Sequence, residues 1–119
     1  MNRMGNTGNK FQGDSKKVLC VCSAGLLRSP TMAWVLSHEP YNYNTRSAGI
    51  SEEYALILVD DVLLEWADEI VCAESWMMDM LKGVDKPTHS LQLPDQYEYR
   101  DPKLVELIKE RYEQIRLSF

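Results

Sequence analysis

Two side chains suggest the chemistry of this sequence. Cys22 and Arg28 stand six positions apart in KKVLCVCSAGLLRSPTMAWVL, which runs from Lys16 to Leu36, with Gly25 between them and Ser29-Pro30 directly after. A thiolate is a nucleophile, and it forms where nearby donors stabilise its charge. A guanidinium grips two phosphate oxygens at once with a planar fork that lysine cannot imitate. The residues between them let the backbone circle a phosphate. The N–H groups of Ser23, Ala24, Gly25, Leu26, Leu27 and Arg28 can face three equatorial oxygens, and the N-terminus of a following helix adds partial positive charge. Gly25 supplies the positive φ that such a ring calls for. Ser29 is placed to donate its hydroxyl to Cys22 and to cap the helix that opens with Pro30. The pattern predicts in-line attack by Cys22 on a cradled phosphorus.

Two aspartates fall downstream of this loop. Asp95 follows Leu93-Pro94 on a loop after a late apolar run, and Asp101 precedes Pro102. Asp-Pro ahead of an amphipathic stretch is a helix cap in its own right. The cap alone accounts for Asp101.

The elements that must hold these groups follow from the apolar pattern. Val18–Cys22 is a short β-prone run suited to a strand buried on both faces. A helix follows Ser29-Pro30, with Met32, Val35 and Leu36 at helical spacing. Thr45–Ser47 predicts a second strand, ended by Ala48-Gly49, and a helix opens near Asp60 or Asp61 with Val62, Leu63 and Trp66 on one face. Glu69–Ala73 is a third strand. A helix carrying Trp76, Met77, Met80 and Leu81 packs on it and closes at Gly83. His89–Leu93 is a fourth strand, and a last helix runs from Asp101-Pro102 to Leu117 with Leu104, Leu107, Ile108, Tyr112 and Ile115 facing inward. Strands alternating with helices predict an α/β fold: one three-layer domain over 16–119, a four-stranded parallel sheet with helices on both faces. In such a sheet ligands sit beyond the carboxyl ends of the strands, which is where CSAGLLRS falls. Residues 1–15, rich in Asn and Gly without apolar period, read as a flexible tail.

Composition narrows the class. A chain of 119 residues is one domain, and a net charge of −5 with no basic run excludes general nucleic-acid binding, whose affinity rests on many phosphate contacts. No apolar run approaches the roughly 18 residues of a membrane span, and no secretory leader is visible. Three cysteines without a leader predict reduced thiols in a soluble, cytoplasmic protein, and the expected state is a monomer. Cys20 and Cys72 read as core. His38 and His89 are isolated and solvated, with no paired set for a metal. The Trp66 and Trp76–Met80 stripe reads as packing, and Tyr41 and Tyr43 as loop aromatics. Beyond Arg28, Arg46 and Arg100 are the arginines within plausible reach of the site.

The stretch Cys22-Ser-Ala-Gly-Leu-Leu-Arg28-Ser29-Pro30, directly after a strand, resembles the signature of the low-molecular-weight protein tyrosine phosphatases. Arg46-Ser47-Ala48-Gly49 is similar to the family's second strand and turn. Leu64-Glu65-Trp66-Ala67-Asp68, Leu93-Pro94-Asp95-Gln96-Tyr97 and Asp101-Pro102 resemble a compact bacterial and phage-type branch, so the likeness extends from about Lys17 to Ile115. The resemblance implies the sheet order 2-1-3-4, a phosphocysteine intermediate, no metal or other cofactor, and an aspartate that protonates the leaving phenol: Asp95, since the cap accounts for Asp101, with Asp101, which precedes proline as the family's acid does, the alternative. It also implies an aromatic beside the substrate ring, the place of Tyr97. The substrate would be a phosphotyrosine protein or a small aryl or alkyl phosphate monoester. The chain departs from the family where Ala24-Gly25 stands in place of Gly-Asn, where Leu27 replaces a second loop cysteine, and where the stretch from Gly49 to Asp60 shortens a pocket wall.

Three other functions fit the same loop. An arsenate reductase needs resolving cysteines, and none lies beyond Cys72. A phosphocysteine carrier of a sugar-uptake system typically lacks the arginine found at position 28. A binding relic would keep the pocket and bind phosphotyrosine without turnover.

Overall fold

A computed structural model describes residues 15–23, 28–51, 55, 57–81 and 83–117. The expected tail at 1–14 and the loop residues Ala24, Gly25, Leu26 and Leu27 lie outside the described residues. Four strands and four helices alternate: β1 (Lys17–Cys22), α1 (Arg28–Ser37), β2 (Asn44–Gly49), α2 (Asp61–Trp66), β3 (Glu69–Cys72), α3 (Ser75–Met80), β4 (Thr88–Ser90) and α4 (Pro102–Leu117). The strands form one parallel sheet in the order β2-β1-β3-β4, the predicted topology. The chain moves one way from β1 to β2 and the other way from β2 to β3 and β4. Right-handed crossovers therefore put α1 on one face of the sheet and α2 and α3 on the opposite face. α4 returns to pack on α1.

The core follows from the apolar runs. Val18, Leu19, Cys20 and Val21 are fully buried, because β1 is flanked by β2 and β3 and covered on both faces. Leu104, Ile108 and Tyr112, spaced by four, line the buried stripe of α4, with Leu107 and Ile115 partly buried beside them. Lys103 N donates to Asp101 Oδ1 at 2.9 Å, so Asp101 caps α4. Leu63 N donates likewise to Asp60 Oδ1 at 2.9 Å at the start of α2. Gly83 follows α3 with a φ of +91°, a backbone that favours glycine.

Several local expectations are corrected. β2 extends on both sides of Thr45–Ser47, while β4 is shorter and earlier than His89–Leu93. Leu91 and Leu93 remain buried after β4 because their N–H groups still donate to Cys72 O and Ala73 O, at 3.0 and 2.7 Å. The aromatic stripe of α3 is not all packing: Met77 and Leu81 face the core, but Trp76 and Met80 are 43% and 60% exposed. A six-residue helix buries one narrow line, and these two sit about 100° round from it. Val62 is also exposed, leaving Leu63 to anchor α2, while Trp66 is partly buried. His38 is not solvated; it is partly buried, 5.0 Å from the Trp34 ring, with Nδ1 2.6 Å from Trp34 O. His89 is likewise partly buried, within β4.

Candidate active site

The carboxyl end of β1 delivers Cys22 to a point enclosed by three elements. Register places Cys22 beside Gly49 at the end of β2, and Val21 beside Cys72 at the end of β3. Ile50 N donates to Cys22 O at 3.0 Å and Ser51 N to Ser23 O at 2.8 Å, tying the exit of β1 to the exit of β2. This is the crevice of a parallel sheet where strand order reverses, with α1 and α2 leaving on opposite faces.

Cys22 Sγ lies 3.2 Å from Ser29 Oγ, and Ser29 Oγ in turn donates to Ala48 O at 3.3 Å. The helix begins at Arg28, so Ser29 is inside it and is not its cap. The buried hydroxyl bridges the thiol and the β2 carbonyl instead. A hydroxyl carries one proton and turns freely about its C–O bond. It accepts from the thiol in this arrangement and can rotate to donate to a thiolate. The other two cysteines lie deeper in the sheet. Burial pushes the Cys20 thiol well up, with Glu69 adding to the effect, and pushes Cys72 from 9.0 to about 12. Both are core groups held as thiols.

Arg28 is 2% exposed, and every part of its guanidinium faces an acceptor. Nη1 donates to Glu74 Oε2 at 2.6 Å and to Leu93 O at 2.9 Å, while Nη2 faces Ser23 Oγ at 3.5 Å. Nε lies 3.7 Å from Asp95 Oδ1, an ion pair longer than a hydrogen bond. Asp95 itself is 65% exposed, on the segment after β4. Cys22, Ser23, Arg28, Ser29 and Asp95 are thus brought together. Asp101 is engaged at the start of α4. Tyr97 is partly buried in a shallow cavity lined by Pro102, Lys103, Glu106 and Leu107.

Two arginines expected within reach are engaged elsewhere. Arg46 stacks on Trp66 at 4.8 Å, and Arg100 stacks on Trp34 at 4.5 Å and Tyr99 at 5.0 Å. Among the described residues, no cluster of His, Cys, Asp and Glu could hold a metal ion. The sequence reading missed Glu74. Its signal was positional: Val21 pairs with Cys72, so the chain beyond Cys72 must run beside the exit of β1.

No family model matches this chain, and no curated protein does. Solved structures do. The chain is similar to Wzb of Vibrio vulnificus, solved in complex with benzylphosphonate: TM-score 0.66, 19% identity, 87% of this chain and 99% of that one. It is similar to the tyrosine phosphatase AmsI of Erwinia amylovora, with TM-score 0.64, 16% identity, and 94% and 99% of the two chains covered. It is also similar to the arginine phosphatase YwlE of Geobacillus stearothermophilus, with TM-score 0.60, 18% identity and coverages of 87% and 94%. The fold is that of the low-molecular-weight phosphatases.

Proposed function

We propose that this chain hydrolyses phosphate monoesters, phosphotyrosine in proteins first among them, through a phosphocysteine on Cys22. One observation carries the reading: the Cys22 thiol with its Ser29 partner, the buried Arg28 and the exposed Asp95 converge at the carboxyl end of β1. The shared fold with two solved phosphatases supports it.

Two steps follow. Cys22 Sγ, as thiolate, forms a bond to phosphorus while the bond from phosphorus to the leaving oxygen breaks. Asp95 gives that oxygen its proton. Arg28 and the N–H groups of the loop stabilise the charge on the transferring group. Water then attacks phosphorus, Asp95 takes its proton, and the sulfur departs as a thiolate that the Ser29 hydroxyl turns to meet. Tyr97 would flank the substrate ring. The enzyme would act as a cytoplasmic monomer.

The test is hydrolysis of an aryl phosphate in mildly acidic buffer with chelator present. Wild type should turn over, Cys22→Ser should not, and Asp95→Asn should lose about 10²- to 10⁴-fold in kcat. Phosphotyrosine binding without turnover in the wild type would replace the enzyme with a binding relic.

A further inference from the structure

We infer that Glu74 is a positioning residue for Arg28: it holds one guanidinium nitrogen so that the opposite edge is turned to the phosphoryl group. This rests on the phosphatase reading above. A guanidinium has five N–H donors in one plane. Here both acceptors close enough for strong bonds, Glu74 Oε2 at 2.6 Å and Leu93 O at 2.9 Å, lie on Nη1. Two acceptors on one nitrogen fix the plane and its rotation together. The remaining contacts are long, 3.5 Å from Nη2 to Ser23 Oγ and 3.7 Å from Nε to Asp95 Oδ1. The edge formed by Nε and Nη2 is therefore the one available for a bidentate grip on two phosphate oxygens. It faces Ser23 and Asp95, the start of the loop and the acid.

The placement of Glu74 suits that task. It sits just beyond β3, beside the exit of β1, and its side chain is 38% exposed while that of Arg28 is 2% exposed. The anion keeps its water while the cation gains a charged acceptor that offsets its burial. An arginine without this tether would be free to swing toward Asp95, the other carboxylate within reach, and leave the phosphate position.

The experiment compares Glu74→Ala, Glu74→Gln and wild type in three measurements: aryl phosphate kinetics, orthovanadate affinity and thermal midpoint. Positioning predicts that Glu74→Ala loses roughly 10- to 100-fold in kcat, since misplacement by about 1 Å costs on that order. KM should change less than about threefold, with vanadate affinity falling alongside kcat. Glu74→Gln keeps an oxygen acceptor for Nη1 and should recover most of the loss. In an Arg28→Lys background, adding Glu74→Ala should leave vanadate affinity within about twofold, because the effect runs through the guanidinium. The inference fails if Glu74→Ala lowers the thermal midpoint but leaves kcat and vanadate affinity at wild-type values. It fails equally if Glu74→Gln is as impaired as Glu74→Ala, for then charge alone matters. If wild type does not hydrolyse the ester yet binds vanadate, and Glu74→Ala loses that binding while Glu74→Gln keeps it, the phosphatase reading falls and the positioning role stands.

Discussion

The two ends of the sheet are built from the same parts with the signs reversed. At the carboxyl end the cation is buried, with Arg28 2% exposed and its partner Glu74 38% exposed. At the amino end the anion is buried: Glu69, at the start of β3, is 6% exposed and pairs with Lys16, which is 42% exposed. Tyr112 on α4 donates a second bond to Glu69 Oε2 at 2.9 Å, and Tyr43 Oη lies 3.3 Å from the Tyr112 hydroxyl. A pocket of about 350 Å³ opens there, lined in part by Lys16, Tyr43, Glu69 and Tyr112. The buried anion already holds a cation and a hydroxyl, and that cluster ties the first strand to the last helix. The buried cation keeps one edge turned toward Ser23 and Asp95, with contacts of 3.5 and 3.7 Å. Sign and satisfaction together separate a group that holds the fold from one that can take a ligand.

Variants at the two ends test that separation, beginning with the largest effect. Arg28→Ala should cost about 10³-fold or more in kcat/KM, the scale of an arginine that neutralises a transferring phosphoryl group. Lys16→Met, its counterpart at the other end, should leave kcat/KM within about twofold. It should lower unfolding free energy in denaturant titration by about 2 kcal/mol, the scale of a hydrogen bond to a charged group. A matching loss of activity in Lys16→Met would break the contrast. Asp95→Asn and Asp101→Asn form a second pair: the first should remove most turnover. The second should keep activity and cost about 1 kcal/mol or less through the weaker cap of α4. Tyr112→Phe should be milder than Lys16→Met, at about 1–2 kcal/mol, with turnover unchanged.

A last contrast is a dependence on alkali, which bears on the fold and not on the candidate site. Burial pushes the Cys72 thiol from 9.0 to about 12, and burial with Glu113 pushes the Tyr41 hydroxyl from 10.0 to about 12. An unfolded chain releases these protons near pH 9 and 10 while the fold retains them, so stability is intact below pH 9 and falls as pH rises toward 12. The thermal midpoint should decline over that range, and Cys72→Ala should flatten its first part.

What the sequence revealed was periodic or local. Alternating strand and helix patterns carried the parallel sheet, and the spacing of Cys22, Arg28 and Ser29 carried the candidate site. Asp95 was legible because the cap at Asp101 already had a structural explanation. Glu74 was not, since its role depends on the parallel register of β1 and β3, which brings together residues 46 positions apart. Trp76 and Met80 misled for a related reason: helical spacing predicts one apolar face, and it gives no hint that a short helix buries Met77 and leaves Trp76 and Met80 exposed. The cap assigned to Ser29 failed because its hydroxyl is taken by the thiol and the Ala48 carbonyl.

β1, which ends in Cys22, is enclosed on both edges and both faces, as is β3. Its amides should exchange with solvent only when the whole domain opens, while the exposed Pro94–Gln96 segment exchanges through local fluctuation. On warming, Asp95, the proposed proton donor, would therefore lose its place before Cys22, the proposed nucleophile, does. Heat would first slow esters with poor leaving groups and spare activated ones until the sheet itself gives way.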